Sequence, residues 1–298
     1  MGTHSCVYLI DGSSYIFRAF FALPPLTNSS GLPTQAIYGF TTMALKFLRE
    51  HRPEYLAVVL DAGRETFRNQ IYQNYKGNRP EAPPNLLPQF PYIRKVLGAM
   101  NVTALELGGF EADDLIATLS KYFSARGTEV VIVSGDKDLM QLVSEEVKLL
   151  DTTKGKWIGI DEVKEKFGVE PKRVVEVMAL MGDSIDNIPG VKGIGEKSAI
   201  ALIQKFHTLE NLFDHLDELE ETKLKGAARI RKALTEGKET AFLSRNLATV
   251  RTDVPIQIEL ENLRYQGSHK EKLRDLFAEL EFSQLLKGLD DEPALSRR

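Results

Sequence analysis

Acidic residues follow four apolar segments in the first half of the chain, and this arrangement constrains the fold more than any other feature. Strand-like segments span residues 7–10, 56–60, 102–107, 130–133 and 147–150, and helical periodicity spans residues 37–48, 90–99 and 115–123. This alternation predicts an α/β fold with a mainly parallel, twisted sheet flanked by helices. The acids that follow the first four strands are Asp11, Asp61, the group Glu111, Asp113 and Asp114, and the pair Asp136 and Asp138.

These seven acids are expected to converge, because the ligand crevice of a parallel sheet lies outside the carboxyl ends of its strands. Two like charges about 4 Å apart repel by about 1 kcal/mol in water and several-fold more in protein, so the cluster requires divalent cations. Oxygen ligands without interleaved His or Cys favour Mg²⁺, or Mn²⁺, over zinc. Each acid taken singly is typical of a helix cap or a turn. Because acids follow four strands that end at one edge of the sheet, a metal site is favoured over four separate caps or turns.

The second half of the chain has a different organisation. Helical patterns at residues 162–167, 173–181, 196–206, 223–234 and 238–249 predict a helical module over residues 161–286, after an α/β domain over residues 1–160. Residues 78–84 are polar and proline-rich, which indicates a protruding segment that orders on binding substrate. Residues 287–298 are predicted to form a flexible tail.

The helical module supplies two more acids. Asp183 and Asp186 are three residues apart and are expected to share a face directed at the cluster. Nine acids could hold two metals, and two metals about 3.5–4 Å apart suit phosphodiester hydrolysis, in which they activate a water and stabilise the attacking and leaving oxygens. Two Mg²⁺ ions would also cancel the formal net charge of −4, which otherwise argues against a nucleic-acid partner.

Two kinds of feature are suited to phosphate binding. Residues 64–79 contain four basic residues against one acid, and residues 223–232 contain five against none, although either stripe alone is typical of a solvated face. Gly190, Gly193 and Gly195 permit tight turns ahead of a helix whose exposed amides can receive a phosphate. This glycine loop resembles a helix-hairpin-helix phosphate clamp.

Seven sequence motifs together carry a family resemblance. They are LIDGS at 9–13, YIFRAF at 15–20, YGF at 38–40, YK at 75–76, EADD at 111–114, SGDKD at 134–138 and LMGDSIDNIPG at 180–190. Over residues 7 to about 286 the chain resembles the 5′ nuclease domains of bacterial DNA polymerase I, in the flap endonuclease family. The resemblance implies a PIN-like 5′ nuclease fold with a helix-hairpin-helix module, and a helical arch at about residues 63–90.

The resemblance also implies roles for individual residues. It assigns Asp11, Asp61, Glu111, Asp113 and Asp114 to a first metal, Asp136 to both metals, and Asp138, Asp183 and Asp186 to a second. It implies that Lys76 and Arg68 contact the scissile phosphate, with Arg18 close by. Tyr75 is expected either to stack on a base or to pack within the arch. For the clamp it implies DNA contacts by Gly190, Gly193, Gly195 and Lys197, and a K⁺ ion held near Ser184, Val191 and Ile194.

The implied activity is that of a structure-specific 5′–3′ exonuclease or flap endonuclease in replication and repair. Its expected substrates are DNA with a 5′ flap, a nick or a single-strand/double-strand junction, and RNA primers paired with DNA. A polymerase is expected to be joined or recruited. The residues leave open whether flap cleavage or exonuclease action dominates, and whether the chain stands alone or is an excised domain.

Two other function classes are weighed against this one. A non-catalytic junction-binding protein would lack metal acids, and none of the nine is missing; a related metal-dependent ribonuclease would lack the glycine clamp. The single cysteine, Cys6, lies in a predicted buried strand, which fits a reducing cytoplasm. We also expect a monomer without a signal peptide or membrane span, cytoplasmic and associated with the bacterial nucleoid.

Overall fold

The computed structural model describes residues 5–221 and 226–290, and there it forms one six-stranded sheet and a set of helices. The strands are β1 Cys6–Asp11, β2 Tyr55–Val59, β3 Thr103–Leu105, β4 Glu129–Val133, β5 Val147–Asp151 and β6 Lys156–Ile158. The helices are α1 Gly12–Ala22, α2 Gln35–His51, α3 Phe67–Ile71, α4 Phe90–Ala99, α5 Ala112–Ser124, α6 Ile160–Phe167, α7 Val174–Met181, α8 Glu196–Phe206, α9 Leu209–Asp214, α10 Ala227–Ala248, α11 Lys270–Glu279 and α12 Ser283–Asp290.

The sheet order is β3-β2-β1-β4-β5-β6, with parallel pairing except between β5 and β6. The chain proceeds from β1 to β2 and β3 on one side and then returns to β4 on the other side of β1. The strand order therefore reverses between β1 and β4, and an open parallel sheet binds its ligands at this point. The predicted mainly parallel sheet is confirmed, and the antiparallel edge strand β6 was not predicted.

Both faces of the sheet are buried, as a parallel sheet covered by helices requires. Along β2, Tyr55, Ala57 and Val59 pack on the side of α5 and the helical module, whereas Leu56 and Val58 pack on the other side. That other side is covered by α1, α2, α4, α11 and α12. The alternation along β2 places consecutive residues in two different cores.

The C-terminal segment returns to the α/β domain. Leu273, Leu276 and Phe277 of α11 join the same core as Ile10 of β1, and the Tyr265 N–H donates to the Glu54 carbonyl at 2.8 Å. The helical module was predicted to span residues 161–286. Because α11 packs against the α/β domain, the helices that pack together as a module end before α11. Residues 287–290 of the predicted tail belong to α12, and residues 291–298 lie outside the described residues.

Several local predictions differ from the structure. The predicted helices 223–234 and 238–249 are one continuous helix, α10, from residue 227; Lys223 and Lys225 of the second basic stripe lie outside the described residues. The predicted arch, residues 63–90, contains the five-residue helix α3 and a short 3₁₀ turn, and is otherwise irregular. Helices α1, α9, α11 and α12 were not predicted. Within the described ranges, no helix is sufficiently long and apolar to cross a membrane.

Candidate metal centre

Asp11 and Asp61 lie where the first two strands end. Asp11 is buried and caps α1 by accepting the Ser14 N–H at 2.9 Å, and it also accepts the Ser134 hydroxyl at 2.8 Å. Asp61 accepts the Ala112 N–H at 2.8 Å, at the start of α5. Asp61 therefore connects the end of β2 to the helix that begins with the next group of acids.

The start of α5 carries three acids in different environments. Glu111 caps the helix and lies within reach of the Lys76 ammonium, with Nζ and Oε1 2.8 Å apart. Asp113 lies in the first turn and is half-buried. Asp114 is fully buried and accepts the Glu111 N–H at 3.1 Å, and its carboxylate points to Arg68. Only Glu111 and Asp113 are therefore available to the crevice.

The loop after β4 brings Asp136 and Asp138 to the same edge. Asp136 accepts the Asp138 N–H at 2.9 Å, and its own N–H donates to the Ser134 hydroxyl at 3.1 Å. The Oδ1 atom of Asp138 is buried and has no protein hydrogen-bond partner in the described part of the chain. A buried carboxylate oxygen without a donor is costly, so this atom is suited to a cation ligand.

The acids of the helical module are held by lysine and arginine. Asp183 accepts the Ile185 N–H at 2.7 Å and pairs with the Lys137 ammonium at 2.5 Å. Asp186 pairs with Arg79, and the Lys76 Nζ lies 3.5 Å from its Oδ2. The loop that follows α7 therefore contacts both the loop after β4 and the segment around Lys76.

Burial and mutual repulsion oppose full ionisation of several carboxyl groups in the crevice. Burial, together with the charges of Asp61 and Asp136, raises the pKa of Asp11 to about 6. Burial and the charges of Asp136 and Asp186 raise the pKa of Asp138 to about 7, and burial with Asp136 and Asp11 raises the pKa of Asp113 well above its ordinary value. Burial opposes ionisation of Asp183, but the hydrogen bond and charge of Lys137 and the N–H groups of Ile185 and Asp186 together outweigh burial and lower the pKa of that carboxyl.

The donor chemistry fits hard divalent cations. The crevice offers carboxylate oxygens, including the unpartnered Oδ1 of Asp138, and such ligands suit Mg²⁺ or Mn²⁺. Within residues 5–221 and 226–290, no three His, Cys, Asp or Glu side chains form a ready-made metal site. Lys76, Arg79 and Lys137 pair with acids of the cluster in this arrangement.

Arg68 does not face the crevice. Its side chain is 2% exposed, its two terminal nitrogens each lie 2.7 Å from an Asp114 oxygen, and it donates to the carbonyls of Leu247 and Thr249 at 2.9 and 3.0 Å. The predicted contact with the scissile phosphate and the predicted metal role of Asp114 both depart from this geometry, because each group already satisfies the other. The pair joins α3 and α5 to the end of α10.

Tyr75 and Lys76 lie beside the acids on the segment that precedes α4. Tyr75 is 4% exposed, and its hydroxyl donates to Glu111 at 3.2 Å, so it packs inside the protein instead of stacking on a base. Lys76 adopts a left-handed backbone with φ 52°, and its N–H donates to the Asp186 carbonyl at 2.9 Å. A non-glycine residue in this region stores strain of the order of 1 kcal/mol, which is frequent at functional sites.

Arg18 lies on α1 beside Tyr15 and Thr152. Its guanidinium lies 5.2 Å from the centre of the Tyr15 ring and 3.4 Å from the Thr152 hydroxyl, which also bonds to the Tyr15 hydroxyl at 2.8 Å. The structure thus groups Arg18 with the loop after β5. Thr152 was not identified from the sequence, because its contact with α1 spans 134 residues.

The glycine loop is exposed at Gly193 and Gly195 but buried at Gly190. Gly190 and Gly193 have φ of 61° and 89°, and Gly195 precedes α8 as its N-cap. Gly193, Gly195 and Lys197 are exposed, whereas the Gly190 N–H is buried and donates to Ser244 of α10 at 2.9 Å. Val191 and Ile194 are buried, and the Val191 carbonyl accepts the Ile194 N–H at 2.9 Å. Ser184 is exposed, and its carbonyl accepts Asn78 at 2.6 Å.

Three further residues of the site were not identified from the sequence. The hydroxyls of Ser13 and Ser134 accept the N–H groups of Asp61 and Asp136, so they position two of the acids. Lys137 lies between Asp136 and Asp138 and pairs with Asp183. The sequence feature that could have identified Lys137 is its position between the two acids of the SGDKD motif.

Family models match most of the chain. The model described as 5′-3′ exonuclease, N-terminal resolvase-like domain, matches residues 6–168, and the one described as 5′-3′ exonuclease, C-terminal SAM fold, matches residues 169–271. DNA polymerase I of Bacillus caldotenax is 44% identical over 286 residues, which are 95% of this chain and 32% of that protein. A 5′-3′ exonuclease of Aquifex aeolicus is 41% identical over 284 residues, 95% of both chains. The chain spans about a third of the length of the polymerase relatives.

Solved structures share the fold. Bacteriophage T5 5′-exonuclease with bound zinc matches with a TM-score of 0.66 at 24% identity, covering 82% of this chain and 89% of that one. The catalytic core of Rad2 in complex with a DNA substrate matches with a TM-score of 0.64 at 16% identity, covering 96% and 93%. At these identities the likeness establishes the fold alone.

Proposed function

From the premise that this chain belongs to the 5′-3′ exonuclease family, we propose that it hydrolyses DNA phosphodiester bonds near 5′ ends and flaps with two divalent cations. The observation that carries the proposal is the convergence of strand-end acids at the reversal of strand order between β1 and β4. The Aquifex relative, named as a 5′-3′ exonuclease over the same length, supports the reaction class.

The acids divide into two groups. Asp11, Asp61, Glu111 and Asp113 would hold a first cation, Asp136 would serve both, and Asp138, Asp183 and Asp186 would hold a second. Asp114 is left out of this set, since its carboxylate is occupied by Arg68. Bound Mg²⁺ or Mn²⁺ would lower the pKa of a water and neutralise charge on the transferring phosphate. The zinc in the T5 exonuclease structure supports a divalent ion in this fold.

Lys76 is the protein group best placed to meet the scissile phosphate. Its side chain is 23% exposed and already lies against Glu111 and Asp186, so its ammonium can turn from an acid to a phosphate oxygen with little movement. Arg79 pairs with Asp186 and is partly exposed on the same segment. Arg68 instead fixes the start of α5, on which Glu111 and Asp113 depend.

The glycine loop would grip the duplex beside the crevice. Gly193, Gly195 and Lys197 are exposed at the start of α8, where backbone amides and a positive side chain favour phosphate. A K⁺ ion near Ser184, Val191 and Ile194 belongs to the same proposal. The duplex grip and the acids Asp183 and Asp186 come from adjacent residues, so binding and cleavage are coupled through this loop.

The proposed substrates are DNA with a 5′ flap, a nick or a junction, and RNA primers paired with DNA. DNA in the Rad2 complex supports a DNA substrate for this fold. A polymerase joined to the chain or recruited by it is proposed from the polymerase I relatives. We also propose a monomer that acts at the bacterial nucleoid.

A labelled 5′-flap duplex tests the proposed function. The substrate carries a different label on each end and is incubated with the protein in Mg²⁺ or in EDTA, and the products are sized on a denaturing gel. We expect Mg²⁺-dependent release of the flap or of 5′ mononucleotides, with the 3′ end intact. Cleavage in EDTA, or degradation from the 3′ end, would contradict the proposal.

A further inference from the structure

The ion pair between Lys137 and Asp183 joins the two parts of the proposed metal centre. Lys137 belongs to the loop after β4, and Asp183 follows α7 in the helical module, with Nζ and Oδ2 2.5 Å apart. The Asp183 side chain is 4% exposed, whereas that of Lys137 is 31% exposed. The pair is therefore buried on the acid side and accessible on the lysine side.

The Asp183 carboxylate has no free oxygen in this arrangement. Oδ1 accepts the Ile185 N–H at 2.7 Å, and Oδ2 accepts the Lys137 ammonium. A divalent cation bound to Oδ2 would lie within a few ångströms of that ammonium. A divalent cation and an ammonium at such a distance repel each other, so they compete for the oxygen.

The charges of three acids of the proposed centre hold Lys137 in place. The charges of Asp183, Asp138 and Asp136 all attract its ammonium and raise the pKa of Lys137 against the effect of burial. The same acids would be neutralised by a bound cation. The attraction that holds the lysine and the attraction that binds a metal thus come from one set of charges.

We propose that Lys137 is a resident counter-cation of the metal centre: it holds the Asp183 loop against the β4 loop in the metal-free protein, and it must leave Asp183 when a divalent cation binds. The inference rests on the proposed function, because it assumes that Asp183 binds metal. Lys137 thereby weakens the affinity for metal and keeps the empty site assembled. Its exposed side gives the ammonium a path to solvent.

Calorimetric titration of the full chain with Mg²⁺, without DNA, tests the proposal. Lys137→Met removes the charge at similar length, and Lys137→Gln is a second variant that retains a hydrogen-bond donor. We expect either variant to bind Mg²⁺ about fivefold more tightly than the wild type, which corresponds to one partly screened ion pair. We also expect a lower melting temperature in EDTA and a wild-type melting temperature in saturating Mg²⁺.

Lys46→Met is the matched control, because Lys46 pairs with Glu50 on the exposed face of α2, outside the cluster. It should leave the affinity for Mg²⁺ unchanged. Equal or weaker Mg²⁺ binding by the Lys137 variants, with the wild type binding normally, would overturn the inference and leave the proposed function intact. A wild type that binds no Mg²⁺ would overturn both.

Discussion

The guanidinium of Arg68 and the carboxylate of Asp114 face each other in a buried, two-pronged ion pair, with both N–O distances 2.7 Å. Asp114 also accepts the Arg251 N–H at 2.8 Å, and Arg68 donates to two carbonyls near the end of α10. One charge pair therefore holds together α3, the acid-bearing start of α5 and the end of the longest helix of the module.

Breaking this pair should destabilise the fold strongly. Asp114→Asn or Arg68→Met leaves one buried charge without its partner, which costs about 3–5 kcal/mol in the free energy of unfolding. The double variant should lose less than the sum of the single losses, since neither charge is then left alone. Urea unfolding measures all three. Losses below about 1 kcal/mol would place the pair among surface ion pairs.

Asp113 should contribute to metal binding, unlike Asp114, whose carboxylate is paired with Arg68. Asp113→Asn should weaken Mg²⁺ binding and reduce cleavage by about 10²–10³-fold, the range seen when one catalytic electrostatic group is removed. It should leave affinity for flap DNA measurable by fluorescence anisotropy in EDTA. Asp275→Asn, an exposed acid on α11, is the control. Turnover retained by Asp113→Asn would remove Asp113 from the metal site.

The stability of the metal-free protein should fall as pH rises. The folded-state pKa values of Asp11 and Asp138, about 6 and about 7, lie above the ordinary carboxyl value of about 4. These groups bind more protons in the folded state, so the free energy of unfolding decreases between pH of about 4 and about 7. Mg²⁺ should therefore raise the melting temperature more at pH 8 than at pH 5. An equal rise at both values would contradict the assignment.

Gly237 lies in the middle of α10, where glycine ordinarily weakens a helix by about 0.5–1 kcal/mol relative to alanine. A Cβ there would lie 2.7 Å from Cγ1 of Val191 in the glycine loop. Gly237→Ala should therefore not stabilise the protein, and it should weaken duplex binding. Adding Val191→Ala removes the clash, so the double variant should regain duplex binding and show the stabilisation that Gly237→Ala alone lacks. Gly98→Ala on α4, with nothing within 4 Å, is the control that should show the ordinary gain. Stabilisation by Gly237→Ala alone would show that the loop adapts freely.

The sheet and the convergence of its acids could be predicted because both depend on local patterns. Strand ends are visible as the limits of apolar runs, and the parallel arrangement then brings Asp11, Asp61 and Asp136 together. Helix α10 was divided at Gly237, because local propensity does not show that Val191 packs there.

Long-range pairing could not be predicted in the same way. Arg68 lies in a basic stripe, which is typical of a solvated or phosphate-binding face, and nothing near it in sequence indicates burial against Asp114, 46 residues away. The return of α11 to the α/β core likewise depends on contacts made only after folding. The predictions that differ from the structure are those for charged residues whose ion-pair partner lies far away in the sequence.

Anomalous scattering from crystals soaked in Mn²⁺ near pH 8 tests the central claim most directly. We predict two peaks bonded to carboxylate oxygens, one among Asp11, Asp61, Glu111 and Asp113 and one among Asp138, Asp183 and Asp186, with Asp136 between them and Asp114 still paired with Arg68. Absence of peaks at saturating Mn²⁺, or peaks only at acids outside this crevice, would contradict the account.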